Sequence, residues 1–285
     1  MTKVALIADT VACLPRELVE QYGIEIVAPN IYFDGKVYRD WLDITPSEAY
    51  QLLDKAPELF STSGPPPAAY VQAYRKVAAK AKNILCITLS SKMSTTHNAA
   101  MAAKEQVKEE LASTNIEVLD SQTATGAEGF VVLAAARAIA EGKSLVEAIE
   151  AAQRIRGRVD LFFILETIRH AYRTGRIPKV AAQIGGWLNI KPIVTIRGGI
   201  AHFSGVTRNK EKGVNHLLEV MREKVGTKPV HVAVHHTDAL EEGEILKQRV
   251  LAEFDCVEVW LTEFSPIMGY STGRGTLGLA FYAED

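Results

Sequence analysis

Short apolar runs recur along this chain, and most of them lead into a segment with helical periodicity. No other feature constrains the fold as much. Val4 to Ala8 reads as a buried strand, and a helix from Pro15 to Tyr22 follows. Ile84 to Leu89 leads into a helix reaching about Leu111. Ile116 to Leu119 leads into a helix over Gly129 to Ala140. Strand then helix, repeated, is the pattern of an α/β sheet with parallel strands. Thr45-Pro46-Ser47-Glu48 and Ser144-Leu145-Val146-Glu147 are capping boxes that start further helices. Ile24 to Phe33 and Lys36 to Tyr38 read as a hairpin around the turn dipeptide Asp34-Gly35. Ser61 to Pro67 reads as a rigid loop, with a helix from Pro67 to about Lys80 after it.

The pattern restarts near residue 158. Strands are expected at Leu161 to Leu165, Val230 to His235, Val257 to Thr262 and Gly278 to Tyr282. Ile193 to Ile196 and Ile200 to Phe203 flank the turn Arg197-Gly198-Gly199. Helical stretches cover Thr167 to Arg173, Lys179 to Leu188, Lys210 to Lys224 and Glu242 to Glu253. A chain of 285 residues is comfortable for two domains. The expected fold is therefore α/β in two domains. Residues 1–157 form a doubly wound, mainly parallel sheet with helices on both faces. Residues 158–285 form a mixed α/β sheet domain.

Ligands of open α/β sheets bind at the carboxyl ends of the strands. Here those ends are polar: Asp9-Thr10, Ser90 to Thr96, and Asp120-Ser121, with Thr62-Ser63 as a fourth loop. The stretch Ser90 to Thr96 is rich in hydroxyls and stands directly before a helix. A helix N-terminus offers free N–H groups and partial positive charge, so hydroxyls there suit a carboxylate or phosphate. The competing account is that Ser91, Ser94 or Thr95 only caps its own helix.

Other signals lead nowhere. Gly273-Arg274-Gly275-Thr276-Leu277-Gly278 spells GxGxxG, but no βαβ unit has room to follow it. His235 and His236 are neighbours on an expected strand and so point to opposite faces. No nucleophile stands beside an evident base, which speaks against a hydrolase. The formal net charge of −2 argues against a nucleic-acid surface. Cys13, Cys86 and Cys256 form no CxxC, so a zinc site and a disulfide framework are not expected and a reducing cytoplasm fits. No apolar run approaches the ~18 residues of a membrane helix.

The ordered motifs resemble one family, the DegV family, over essentially the whole chain. They are Ala8-Asp9-Thr10, TSGPPP from Thr62, SSKMSTTHNAA from Ser90 and DSQTAT from Asp120. RTGRIPK from Arg173, LNIKPI from Leu188 and SPIMGYSTGRGTLGL from Ser265 follow in the family's order. The resemblance implies a fatty-acid-binding protein rather than an enzyme, with no cofactor. Its ligand would be a long-chain fatty acid such as palmitate, stearate or oleate, lodged in an apolar tunnel between the domains. Thr62 and Ser94 would hold the carboxylate, and Arg176 would line the same cleft. Ser271 stands where most members have a histidine, and Arg274 where they have a proline. Arg274 is therefore expected to supply the positive charge that the histidine supplies elsewhere. A fatty acid kinase subunit is the implied partner. The rival reading is an enzyme acting on a small phosphorylated or keto compound, since the first domain is similar to a dihydroxyacetone kinase domain. His97 would be its covalent residue, with Asp9 and Asp120 as conceivable metal ligands.

Overall fold

The computed structural model describes residues 3–176 and 190–285. The helical stretch expected at 179–188 lies outside them. Four parallel strands, β1 (Val4–Asp9), β2 (Glu25–Val27), β6 (Asn83–Thr88) and β7 (Asn115–Asp120), form a sheet in the order β2-β1-β6-β7. Its central strands β1 and β6 are buried on both faces, which is why β6 reads as a nearly unbroken apolar run. Successive residues take opposite sides. Ile7, Ile84 and Cys86 pack towards α3 (Pro67–Ala78) and α4 (Thr96–Gln106). Leu6, Leu85 and Ile87 pack towards α5 (Thr125–Ala140).

A second sheet holds six strands in the order β10-β9-β8-β13-β11-β12. They are β8 (Asp160–Ile164), β9 (Lys191–Arg197), β10 (Ile200–Thr207), β11 (Val230–His236), β12 (Cys256–Glu263) and β13 (Leu277–Ala283). On β13, Leu277, Leu279 and Phe281 face α8 (Lys210–Val225) and α9 (Leu240–Glu253), while Ala280 and Tyr282 face α5. α5 is thus wedged between the two sheets, and its residues are buried nearly all round. Phe130 on α5 meets Trp260 at 4.4 Å and Tyr282 at 5.0 Å between ring centroids. One apolar core runs through both halves of the chain. No helix among the described residues is long and apolar enough to cross a membrane.

Three expectations need correction. The arm Ile24 to Phe33 is not one strand. It breaks at Ala28-Pro29, so that β2 joins the parallel sheet while β3 (Asn30–Phe33) and β4 (Lys36–Arg39) form the Asp34-Gly35 hairpin elsewhere. Residues Phe60–Ser63 are not loop but strand β5, paired with β3 in a separate three-stranded sheet. Helix α5 begins at Thr125, not Gly129, because Gly126 can press its backbone N–H onto Nε2 of buried His235 at 3.1 Å. Any Cβ at Gly126 would collide with that imidazole. A further helix, α10 (Pro266–Thr272), went unread in the sequence. Both capping boxes form as expected, on α2 (Pro46–Lys55) and α6 (Leu145–Arg156). The GxGxxG letters form a turn that enters β13.

Candidate functional site

One cavity takes its lining from the loop after β6, the end of β5, the six-stranded sheet and helix α10. It encloses about 800 Å³ of empty space, its open mouth included. The hydroxyl loop contributes Leu89, Met93 and Ser94, and the end of β5 contributes Thr62, Ser63 and Gly64. From the second sheet come Phe163, Leu165, Val194, Ile196 and Ala201. Helix α10 supplies Ile267, Met268, Ser271 and Thr272. Arg176 follows α7 (Arg169–Thr174), whose Ala171 also lines the wall. The wall is mainly apolar, with a few hydroxyls and one guanidinium.

Local contacts explain how the hydroxyls meet. Gly64 carries the chain from β5 against the first turn of α4. A Cβ there would stand 2.8 Å from Thr95 Oγ1 and 3.3 Å from the Thr96 nitrogen. Thr62 and Ser94 are each half-buried. Thr62 Oγ1 has no hydrogen-bond partner among the described residues. Ser94 Oγ accepts the Thr96 N–H at 3.2 Å and lies 2.8 Å from Thr96 Oγ1. Ser94 thus lines the cavity and also holds the first N–H of the helix that follows, whose N-cap position is Thr95. Ser91 turns away towards the first sheet, where its hydroxyl donates to Asp120 Oδ2 at 2.5 Å and its N–H to Oδ1 at 3.2 Å.

The other polar candidates separate clearly. Arg176 lines the cavity, donating from Nη1 to the Thr174 carbonyl at 2.6 Å. Among the described residues it has no carboxylate partner, so its charge is unneutralised. Ser271 faces the same space. Arg274 does not. Its guanidinium is paired with Asp54 and Asp238 and is absent from the cavity wall. The expectation that Arg274 replaces the missing histidine's charge is therefore corrected, because two carboxylates already engage it. The wall residues of α10 other than Ser271, together with Met93 and Phe163, carried no signal in the sequence beyond being apolar or small.

The strand-end acids are structural. Asp9 Oδ1 accepts the Val11 N–H and Oδ2 the Leu89 N–H, both at 2.9 Å. Burial pushes its carboxyl up to about 6, against the lowering effect of those bonds. Buried Glu128 is held well above the usual carboxylate range, first by burial and then by Asp9. Asp40 accepts from the Thr10 hydroxyl and from the Ile267 N–H at 3.2 Å, so it holds the first turn of α10. No group of three or more His, Cys, Asp or Glu among the described residues could hold a metal. His97 is bonded through Nδ1 to Thr88 Oγ1 at 3.1 Å and lies outside the cavity wall.

Fold and cavity together define an α/β protein whose two halves both line one mainly apolar cavity. The chain belongs to the DegV family: the family's model, described as "uncharacterised protein, DegV family", matches residues 3–284. It is similar to a DegV domain-containing protein of Clostridium perfringens, with 30% identity over 282 residues covering 99% of each chain. Among solved structures, a DegV family protein from Thermus thermophilus, described by its fatty acid binding, superposes with a TM-score of 0.90 at 28% identity, covering 99% of this chain and 100% of that one. DegV of Bacillus subtilis, described as a fatty acid binding protein, gives 0.88 at 27% identity with full coverage of both chains. A stearic acid-binding protein from Eubacterium ventriosum gives 0.88 at 26%, covering 99% and 98%.

Proposed function

We propose that this protein binds one long-chain fatty acid, such as palmitate, stearate or oleate, in the cavity between its sheets. Thr62, Ser94 and Ser271 hold the carboxylate, with Arg176 as the nearby positive charge. The acyl chain lies along the apolar walls. Residues 1–157 supply Thr62 and Ser94 to the seat, and residues 158–285 add Ser271 and Arg176 and help to enclose the chain. The protein works in the cytoplasm as a carrier, and it presents its ligand to a fatty acid kinase subunit rather than catalysing a reaction itself. The observation that carries this reading is the cavity wall itself, where hydroxyls from three separate segments and one arginine with no carboxylate partner among the described residues share an otherwise apolar space. The fatty-acid-binding relatives support the choice of ligand.

The energetics are adequate. Roughly 15 buried methylenes contribute ~12 kcal/mol gross. Association and chain ordering take back several kcal/mol or more. The hydroxyls then fix orientation more than affinity. The rival enzyme reading needs a covalent residue in the cavity, and the placement of His97 outside the wall gives it no support. The test is organic extraction of purified protein followed by mass spectrometry, expected to yield a long-chain fatty acid in near-equimolar amount. Protein that carries no acyl chain and also takes up neither palmitate nor oleate would end the proposal.

A further inference from the structure

Two side chains of the hydroxyl loop, Ser90 and Lys92, reach away from the proposed seat to the second sheet. Ser90 is fully buried, and its hydroxyl donates to the Gly199 carbonyl at 2.7 Å, across to the turn between β9 and β10. Lys92 adds a second link, from Nζ to the Gly198 carbonyl at 2.9 Å. The turn is shaped to receive them. Gly198 and Gly199 both have positive φ, 56° and 84°, a region that glycine enters without the steric cost of a Cβ. A Cβ on Gly199 would stand 2.6 Å from Ser90 Oγ and 3.5 Å from Lys92 Cδ.

Ser90 is also the hub of its own loop. Its carbonyl accepts the N–H groups of Met93 at 3.0 Å and Ser94 at 3.1 Å, while its N–H donates to the Thr123 carbonyl at 3.1 Å. Leu89, Met93 and Ser94 on one side of this link, and Val194, Ile196 and Ala201 on the other, all line the cavity. We propose that Ser90 is a positioning residue. With Lys92 it latches the hydroxyl loop to the β9–β10 turn, fixes Ser94 in the seat, and keeps the two cavity walls together while ligand is bound. This rests on the fatty acid reading of the cavity. Ser90 touches no ligand. It acts through Ser94 and through the spacing of the two walls. A ligand then leaves faster when the latch is weakened.

The test compares Ser90→Ala with Ser91→Ala. Both remove one hydroxyl from the same loop, but Ser91 is anchored on Asp120 within the first sheet. In ligand-free protein, amide hydrogen exchange is expected to quicken in Ser90→Ala over both 89–94 and 191–207. In Ser91→Ala it should quicken over 89–94 alone. With palmitate, dissociation from Ser90→Ala should be roughly fivefold to tenfold faster, the scale of one lost hydrogen bond. Ser91→Ala should stay within about twofold of wild type on the same scale. Lys92→Met, at an exposed position, should move both readouts in the direction of Ser90→Ala by a smaller factor, and it serves if Ser90→Ala folds poorly. Unchanged exchange over 191–207, or equal palmitate dissociation from the two serine variants, overturns the latch. Wild-type protein that takes up no palmitate sinks the fatty acid reading instead, and the exchange data still decide whether the latch exists.

Discussion

Thr62→Val separates binding from folding more cleanly than any other substitution in the cavity. Valine nearly matches threonine in shape and suits strand β5. Thr62 Oγ1 has no partner among the described residues, so its loss strands no donor or acceptor there. Stability should change by no more than about 0.5 kcal/mol, a shift in Tm of under about 2 °C for a chain of this size. The cost to the ligand is larger. A carboxylate deprived of one donor at a partly desolvated site loses about 1–3 kcal/mol, or roughly 5-fold to 150-fold in Kd. Displacement of a fluorescent fatty acid by palmitate reads the affinity, and thermal unfolding of ligand-free protein reads the stability. Unchanged affinity would show that the hydroxyl does not meet the carboxylate. A fall of more than about 4 °C in Tm, over 1 kcal/mol on this scale, would show that it serves the fold instead.

Ser94→Ala should behave differently from Thr62→Val, because Ser94 also accepts the Thr96 N–H. Loss of that bond is expected to lower stability by about 0.5–1.5 kcal/mol and to weaken palmitate binding as well; lowered stability with intact affinity would leave this local bond as its only role. Arg274→Gln is expected to leave palmitate affinity unchanged and to lower stability by less than about 1 kcal/mol, since its ion pairs are largely exposed; a tenfold loss of affinity would return Arg274 to the site. Asp40→Asn probes a buried carboxyl pushed up to about 7, chiefly by burial. Its stabilising share is fully present below the ordinary value of 3.8 and is lost as pH rises towards 7. The difference in Tm, Asn variant minus wild type, should therefore move in favour of the variant between about pH 5 and pH 8; a difference that stays flat would mean that Asp40 titrates normally.

The DegV relatives described as fatty-acid-binding suit the sequence reading of the family, but the sequence and the tertiary structure carried different parts of it. Features settled by neighbours along the chain were legible from the sequence. The two capping boxes formed because Thr45 with Glu48, and Ser144 with Glu147, satisfy each other within one helical turn. The alternation of strand and helix, the Asp34-Gly35 hairpin and the strand ends that carry the hydroxyl loop are local in the same sense. Motifs and their order picked out Thr62, Ser94, Arg176 and Ser271, and all four line the one cavity. What the sequence left open was the direction of each polar side chain. Ser90, Ser91 and Ser94 stand within one loop, yet they bond to Gly199, Asp120 and Thr96 respectively. Arg274 sits in a glycine-flanked turn that reads as free to reach a ligand, but Asp54 and Asp238 are brought beside it from distant segments. Strand β5 and helix α10 escaped notice because neither has a strong propensity of its own. β5 exists because β3 offers it an edge, and α10 because Asp40 and the Tyr50 hydroxyl, which donates to the Phe264 carbonyl at 2.7 Å, hold its start. Periodicity and capping act over a few residues and are written in the chain. Charge pairing, burial and cavity shape depend on which distant segments the sheets bring together, and only the tertiary structure decides that.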